Sequence, residues 1–225
     1  MTNAADAAGR PWLPADAALW HTCRIASELV QRRVPRDRVP TYFPLRHAEV
    51  AFVQGPVAVE AFHAIGDGSY STSSTILAAS GRFGLALGVA TMAGSAIANA
   101  SRQAQAAADA TPMWRPALHG SLVVTSQGFY LLDHAGKLDW DWASIELMQV
   151  VGFSCLVMQG QSANGPVTWR ITSDWAELIF VMWAMARHPQ HPQLLDGSWI
   201  PAHWPEWAAH QGYRPFLPEF PSLDA

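Results

Sequence analysis

Asp139 and Asp141 come nearest to chemistry in type and spacing: two carboxylates on one face of a short strand. Paired carboxylates can share acid–base work. Their context also alternates strictly, Leu138, Trp140 and Trp142 against the two acids, which describes a strand with its Trp face inward and its Asp face in water. The second description is adopted. His188 and His191 stand three apart in HPQHP. Two ligands without a third make no zinc site, and the prolines keep a helix from presenting both, so no metal is expected there. His63 and His119 are single histidines in strand-like context and read as structural. Cys23 and Cys155 lie far apart, form no motif and read as reduced buried thiols.

No GxSxG, HExxH, P-loop or dinucleotide glycine pattern occurs. Gly66-Asp67-Gly68 and the glycines Gly81 and Gly84 fit turns better than phosphate loops. The expectation is therefore no catalytic residue, no cofactor and no metal. An enzyme with a dispersed site gathering His63, His119 or the Asp139/Asp141 pair is kept as an alternative.

Half of the 225 residues are apolar and 14% are charged, enough for a sizeable core and too apolar for global disorder. A net charge of −4 argues against nucleic acid as a partner, since that needs a basic face. The first residues, MTNAADAAGRPWLP, hold no basic stretch followed by an apolar one, so the expected location is cytoplasmic, with membrane association as a variant.

The segment 83–101, FGLALGVATMAGSAIANAS, has no charge and is rich in Gly and Ala. On a helix, Gly84, Gly88, Thr91 and Ser95 fall into one narrow stripe. Gly84 and Gly88 form a GxxxG pair that lets another backbone approach closely. This stripe is the expected contact with a protein partner, with a second copy or with a membrane. Arg24, Arg32, Arg33, Arg36, Arg38 and Arg46 face only Glu28 and Asp37 in their span. Of these, Arg32, Arg33, Arg36 and Arg38 are candidate contacts for anionic lipid, against the plainer reading of a solvated face with ion pairs.

These residues need elements to hold them. Leu19, Cys23, Ala26 and Val30 share one face of a helix over 15–33, which Pro35 ends. Strands are predicted at 57–65, 69–78, 119–125, 129–133, 137–142, 153–159 and 166–171, the last pair joined through Asn164-Gly165. A helix follows at 174–187, with Asp174 and Glu177 placed for a capping box. Trp175, Leu178, Ile179, Met182 and Met185 form its apolar face. Phe180 and Trp183 lie off that face and need a cover, either a partner or the aromatic tail. The tail, 189–225, combines prolines with Trp199, Trp204, Trp207, Tyr213, Phe216 and Phe220. It reads as a strap on the body with a short helix from Pro205 to near Gly212; a Pro-rich ligand for another protein is the sharper alternative.

Gly120-Ser-Leu122-Val-Val124-Thr125, a tight turn and Phe129-Tyr-Leu-Leu resemble the third and fourth strands of bacterial pleckstrin-homology-like (PH-like) and GRAM-type domains. Trp140-Asp-Trp142-Ala-Ser-Ile145 is similar to their fifth strand. Gly128 stands near where those domains often carry a basic residue. The resemblance covers about 57–187 and implies an α+β fold: a seven-stranded antiparallel barrel capped by a C-terminal helix. To this the chain adds an N-terminal helical arm over 1–50, a helical Gly/Ala-rich insertion at 80–110 within a domain spanning 51–188, and the strap. The expected function is a non-enzymatic interaction or scaffold module that binds a protein partner or itself through the small-residue helix. The alternative is a peripheral membrane protein using 83–101 and the Arg-rich arm.

Overall fold

A computed structural model describes residues 10–64 and 110–221. The expected strand 69–78, the insertion and the candidate residues Gly84, Gly88, Thr91 and Ser95 lie outside the described residues. The chain divides into two compact units, Met1–Ala61 with Pro116–Ala225, and Phe62–Arg115. In the second unit the rings of Phe62 and Trp114 lie 5.2 Å apart.

The first unit is α+β. Helix α1 (Pro14–Val30) precedes β1 (Ala51–His63), β2 (Met113–Thr125), β3 (Gly128–Asp133) and β4 (Gly136–Asp141). A 3-10 turn (Trp142–Ser144) leads to β5 (Ile145–Gly152), β6 (Cys155–Ser162) and β7 (Gly165–Thr172). Helix α2 (Ala176–Arg187) and two short helices, α3 (Pro192–Leu195) and α4 (Trp204–His210), complete the described elements. The strands form one seven-stranded sheet in the order β4-β3-β2-β1-β7-β6-β5. Its ladders β1·β7, β2·β3, β3·β4, β5·β6 and β6·β7 are antiparallel. The order leaves β4 and β5 as edges, so the sheet is open where a closed barrel was expected.

The seven strands are not the seven expected. Residues 145–152 form β5, which the alternation of the sequence did not disclose. Its pairing with β6 slips between Ile145 and Leu147 and again between Val150 and Gly152, and each bulge breaks the period of two. β1 likewise starts at Ala51, earlier than the predicted 57. Phe52 and Val53 before Gly55-Pro56, and Val57 and Val59 after it, all reach the main core, while Ala51 joins the smaller cluster. Two neighbouring positions in one core break the period of two at the start of the strand.

Helix α2 is apolar on every side, and Leu178, Ile179, Phe180, Val181, Met182 and Trp183 are all buried. A helix of that kind belongs inside a core. It lies against β5, β6, β3, the 3-10 turn and α1. The expected capping box does not form. The helix starts at Ala176, Ser173 holds the preceding turn by accepting from the Trp175 N–H, and Glu177 turns inward.

A smaller cluster covers the other face of β1–β3. Ala51, Val123, Tyr130 and Leu132 pack beneath Val39, Phe43 and Leu45. Buried Glu49 ties this cover down by accepting from the Thr125 hydroxyl, from the Tyr130 hydroxyl at 2.7 Å and from the Arg46 N–H at 2.8 Å. Burial would raise the Glu49 pKa, but these bonds outweigh it and hold the carboxyl below its ordinary value.

The tail packs on the body. Leu194, Trp199, Trp204 and Trp207 are buried in the main core. Trp12 stacks on Tyr213 at 3.9 Å and on Trp207 at 5.4 Å. Gln193 reaches the edge strand β5: its side-chain oxygen accepts from the Val150 N–H at 3.0 Å and its nitrogen donates to the Val150 carbonyl at 2.9 Å. A side-chain amide thus blocks a backbone edge that would otherwise be open to another strand.

Candidate functional site

One stripe of α1, at spacing i, i+3, i+4, i+7, presents Pro14, Ala17, Ala18 and His21 to a cleft of about 460 Å³. The opposite wall is β1 from Phe52 to Pro56. Asp37, Arg38 and Val39 line a further side, and Asp174 and Trp175 complete it. Gly55 sets the shape of one end, because a Cβ there would stand 2.7 Å from Cδ1 and Nε1 of Trp175. The missing side chain lets the indole lie flush on the strand.

The polar centre of the cleft is His21. Its Nδ1 lies 3.2 Å from Oδ2 of Asp37 and 3.1 Å from a guanidinium nitrogen of Arg24, and Arg24 also pairs directly with Asp37. Protonated, Nδ1 donates to Asp37; unprotonated, it accepts from Arg24. Burial works to raise the Asp37 pKa, but the bonds from Arg24 and His21 prevail and hold it below the ordinary value. Trp20 backs the group, edge-on to His21 at 5.1 Å and beneath the Arg24 guanidinium at 5.1 Å. Among the described residues, the lining contains no Ser, Thr, Tyr, Cys or Lys. Its chemistry is that of recognition: an apolar floor, the backbone of one strand, and polar groups at His21, Arg38, Gln54, Asp174 and the Trp175 indole N–H.

The other sequence candidates scatter. Phe180 and Trp183, candidates for contact with a partner or for cover by the tail, are buried within this chain, which removes them as partner contacts. His191 lies edge-on to both rings at 5.1 and 5.8 Å, and His188 is tilted against Trp183 at 4.7 Å. The Trp183 indole N–H donates to the Ile145 carbonyl at 3.1 Å. Asp139 and Asp141 take separate structural roles. Asp139 pairs with Arg46 at 2.7 Å, and Asp141 accepts from the N–H and hydroxyl of Ser144 to cap the 3-10 turn. His63 and His119 are exposed on β1 and β2. Cys23 is buried and Cys155 half-buried, and both are free thiols. Burial, and then the nearby Glu177, push the Cys23 thiol up to about 12. Arg32, Arg33, Arg36 and Arg38 are all exposed, with Arg38 at the mouth of the cleft.

Sequence reasoning missed His21, read Trp175 as part of an apolar helix face and gave Glu177 a capping role. His21 and Arg24 are three apart on one helix face, a spacing that could have flagged the pair. Nothing local marks Glu177 as inward-facing. It is fully buried and accepts from the Ser154 N–H at 2.7 Å, and its second oxygen has no partner. Ser154 sits at φ 60°, a left-handed conformation that costs a non-glycine residue energy, and its hydroxyl is also buried without a partner.

Among the described residues no helix is long and apolar enough to cross a membrane, and no cluster of three or more His, Cys, Asp or Glu is placed to hold a metal ion. In comparisons with known proteins, no family model, no curated protein and no solved structure matches this chain.

Proposed function

We propose that this chain is a non-enzymatic, PH-like interaction module that takes up a segment of a protein partner, or of a second copy, in the cleft between α1 and β1. The PH-like part rests on the strand order β4-β3-β2-β1-β7-β6-β5 followed by an apolar helix laid on β5, β6 and β3. In that reading α2 is the helix that plugs the open side of the barrel. A fold alone names no ligand, so the binding part stands on the site.

The observation that carries it is the composition of the cleft. Five consecutive β1 residues form one wall, an apolar helix stripe forms another, and polar groups of both signs are spaced along the mouth. An extended peptide offers matching alternation of apolar side chains and backbone donors and acceptors. The volume of about 460 Å³ suits a few side chains.

The test is a photo-crosslinking amino acid placed at Gln54 in the intact chain. It should give one discrete adduct in cells, and Ala17→Trp, which fills the cleft, should abolish that adduct without altering the melting transition. An adduct indifferent to Ala17→Trp would refute the assignment.

A further inference from the structure

Two segments flank the last turn of α1 and carry exposed cationic and apolar side chains together. The first is the turn after the helix. Arg32, Arg33, Arg36 and Arg38 are exposed, and none forms an ion pair with a described residue. The other three arginines of this arm are neutralised, Arg10 by Asp16, Arg24 by Asp37 and Arg46 by Asp139. Between these charges stands Val34, 66% exposed.

This turn is pinned. The Arg33 N–H donates to the Glu28 carbonyl at 2.8 Å, and the Arg36 N–H donates to the Glu28 carboxylate at 3.0 Å. Pro35 is buried, and the Val39 N–H donates to the Ala51 carbonyl at 3.0 Å. The second segment is the tail. The Ser27 hydroxyl donates to the Phe216 carbonyl at 3.2 Å, while the Phe216 side chain is 65% exposed beside exposed Leu217 and Arg214. The chain as a whole is acidic, with net charge −4, so the cationic cluster is local and not a by-product of a basic composition.

We propose that this face is a docking surface for an anionic lipid bilayer, with the four arginines on headgroups and Val34 and Phe216 entering the interface. Charge complementarity selects an anionic partner. The apolar side chains are single prongs set among charges; a soft bilayer receives such prongs anywhere, whereas a folded acidic protein needs a pocket for each. Because the turn is already held by Glu28 and Pro35, docking orders little additional backbone.

Co-sedimentation of the intact protein with phosphatidylcholine vesicles, and with mixed phosphatidylcholine–phosphatidylserine vesicles, tests this. The wild type should bind only the mixed vesicles and release as salt shortens the screening length. Each Arg→Gln change at positions 32, 33, 36 and 38 should weaken binding about fivefold, the four together about several hundredfold, whereas the four Arg→Lys changes should retain it. Val34→Asp should weaken it as well. Equal binding to both vesicle types, undiminished binding by the four-glutamine variant, or binding of glycerophosphoserine or an acidic peptide without vesicle binding would overturn the proposal. Ala17→Trp should bind vesicles as the wild type does, which separates this outcome from that of the cleft.

Discussion

Glu177 accepts the Ser154 N–H with one carboxylate oxygen and keeps the other without a partner inside the core. This single bond links the first turn of α2 to the turn between β5 and β6. Burial, the largest influence, pushes the Glu177 pKa up to about 7, with Asp174 adding to it and the bond from Ser154 opposing it. The folded chain therefore holds a proton that the unfolded chain releases near pH 4.5. Stability should fall as pH rises from about 4.5 to about 7, by about 3 kcal/mol, and then level off. Urea denaturation across that window should show the slope, and Glu177→Gln should remove it; an unchanged slope in that variant rules the explanation out.

Asp16 works in the opposite direction. It is fully buried and accepts from both terminal nitrogens of Arg10 at 2.5 and 2.6 Å, from the Leu13 N–H at 2.9 Å and from the Trp204 indole N–H at 2.9 Å. Burial tends to raise its pKa, and these bonds more than reverse that. Its contribution is therefore present above the ordinary carboxylate range and lost as pH falls through the depressed value. Asp16→Ala strands four N–H donors and should cost about 3 kcal/mol by thermal or urea denaturation. The tail should be the first part to show it, as faster proteolysis around α4.

Gly55→Ala tests the seat of Trp175. The added Cβ meets the indole at 2.7 Å, and the half-buried ring has room to swing outward. The expected cost is about 1 kcal/mol, with the cleft reshaped. With all tryptophans fluorinated, one fluorine NMR resonance, assigned to residue 175 by Trp175→Phe, should shift while those of buried Trp183 and Trp199 stay in place.

Gln193→Ala uncovers the β5 edge. Hydrogen exchange at the Val150 amide should accelerate, and stability should drop by about 1 kcal/mol. Light scattering at raised protein concentration should report self-association through the bared strand, which Leu147 and Val151 already leave partly apolar. An unaltered Val150 exchange rate would show that Gln193 does not guard that edge.

Much of the fold was legible where chemistry is local. The Asn164-Gly165 turn, the Trp140/Trp142 alternation, the apolar run from Leu178 to Trp183 and the proline that opens α4 each announce themselves within a few residues. β5 was not legible because two bulges scramble its alternation, and β1 was legible only in part because neighbouring Phe52 and Val53 both enter the main core.

The site was hardly legible, and the reason is physical. Sequence spacing carries information about neighbours on one helix or strand, which is why the cationic run from Arg32 to Arg38 and the aromatic richness of the tail could be read directly. Which cations stay uncompensated depends on Asp37 folding back to Arg24 and Asp139 coming to Arg46 from a strand some ninety positions away. Which aromatics remain in water depends on a tail that buries Phe180 and Trp183 and leaves Phe216 out. Long-range packing makes those choices, because burying apolar area and pairing charge are properties of the groups that meet in space, not of their order along the chain.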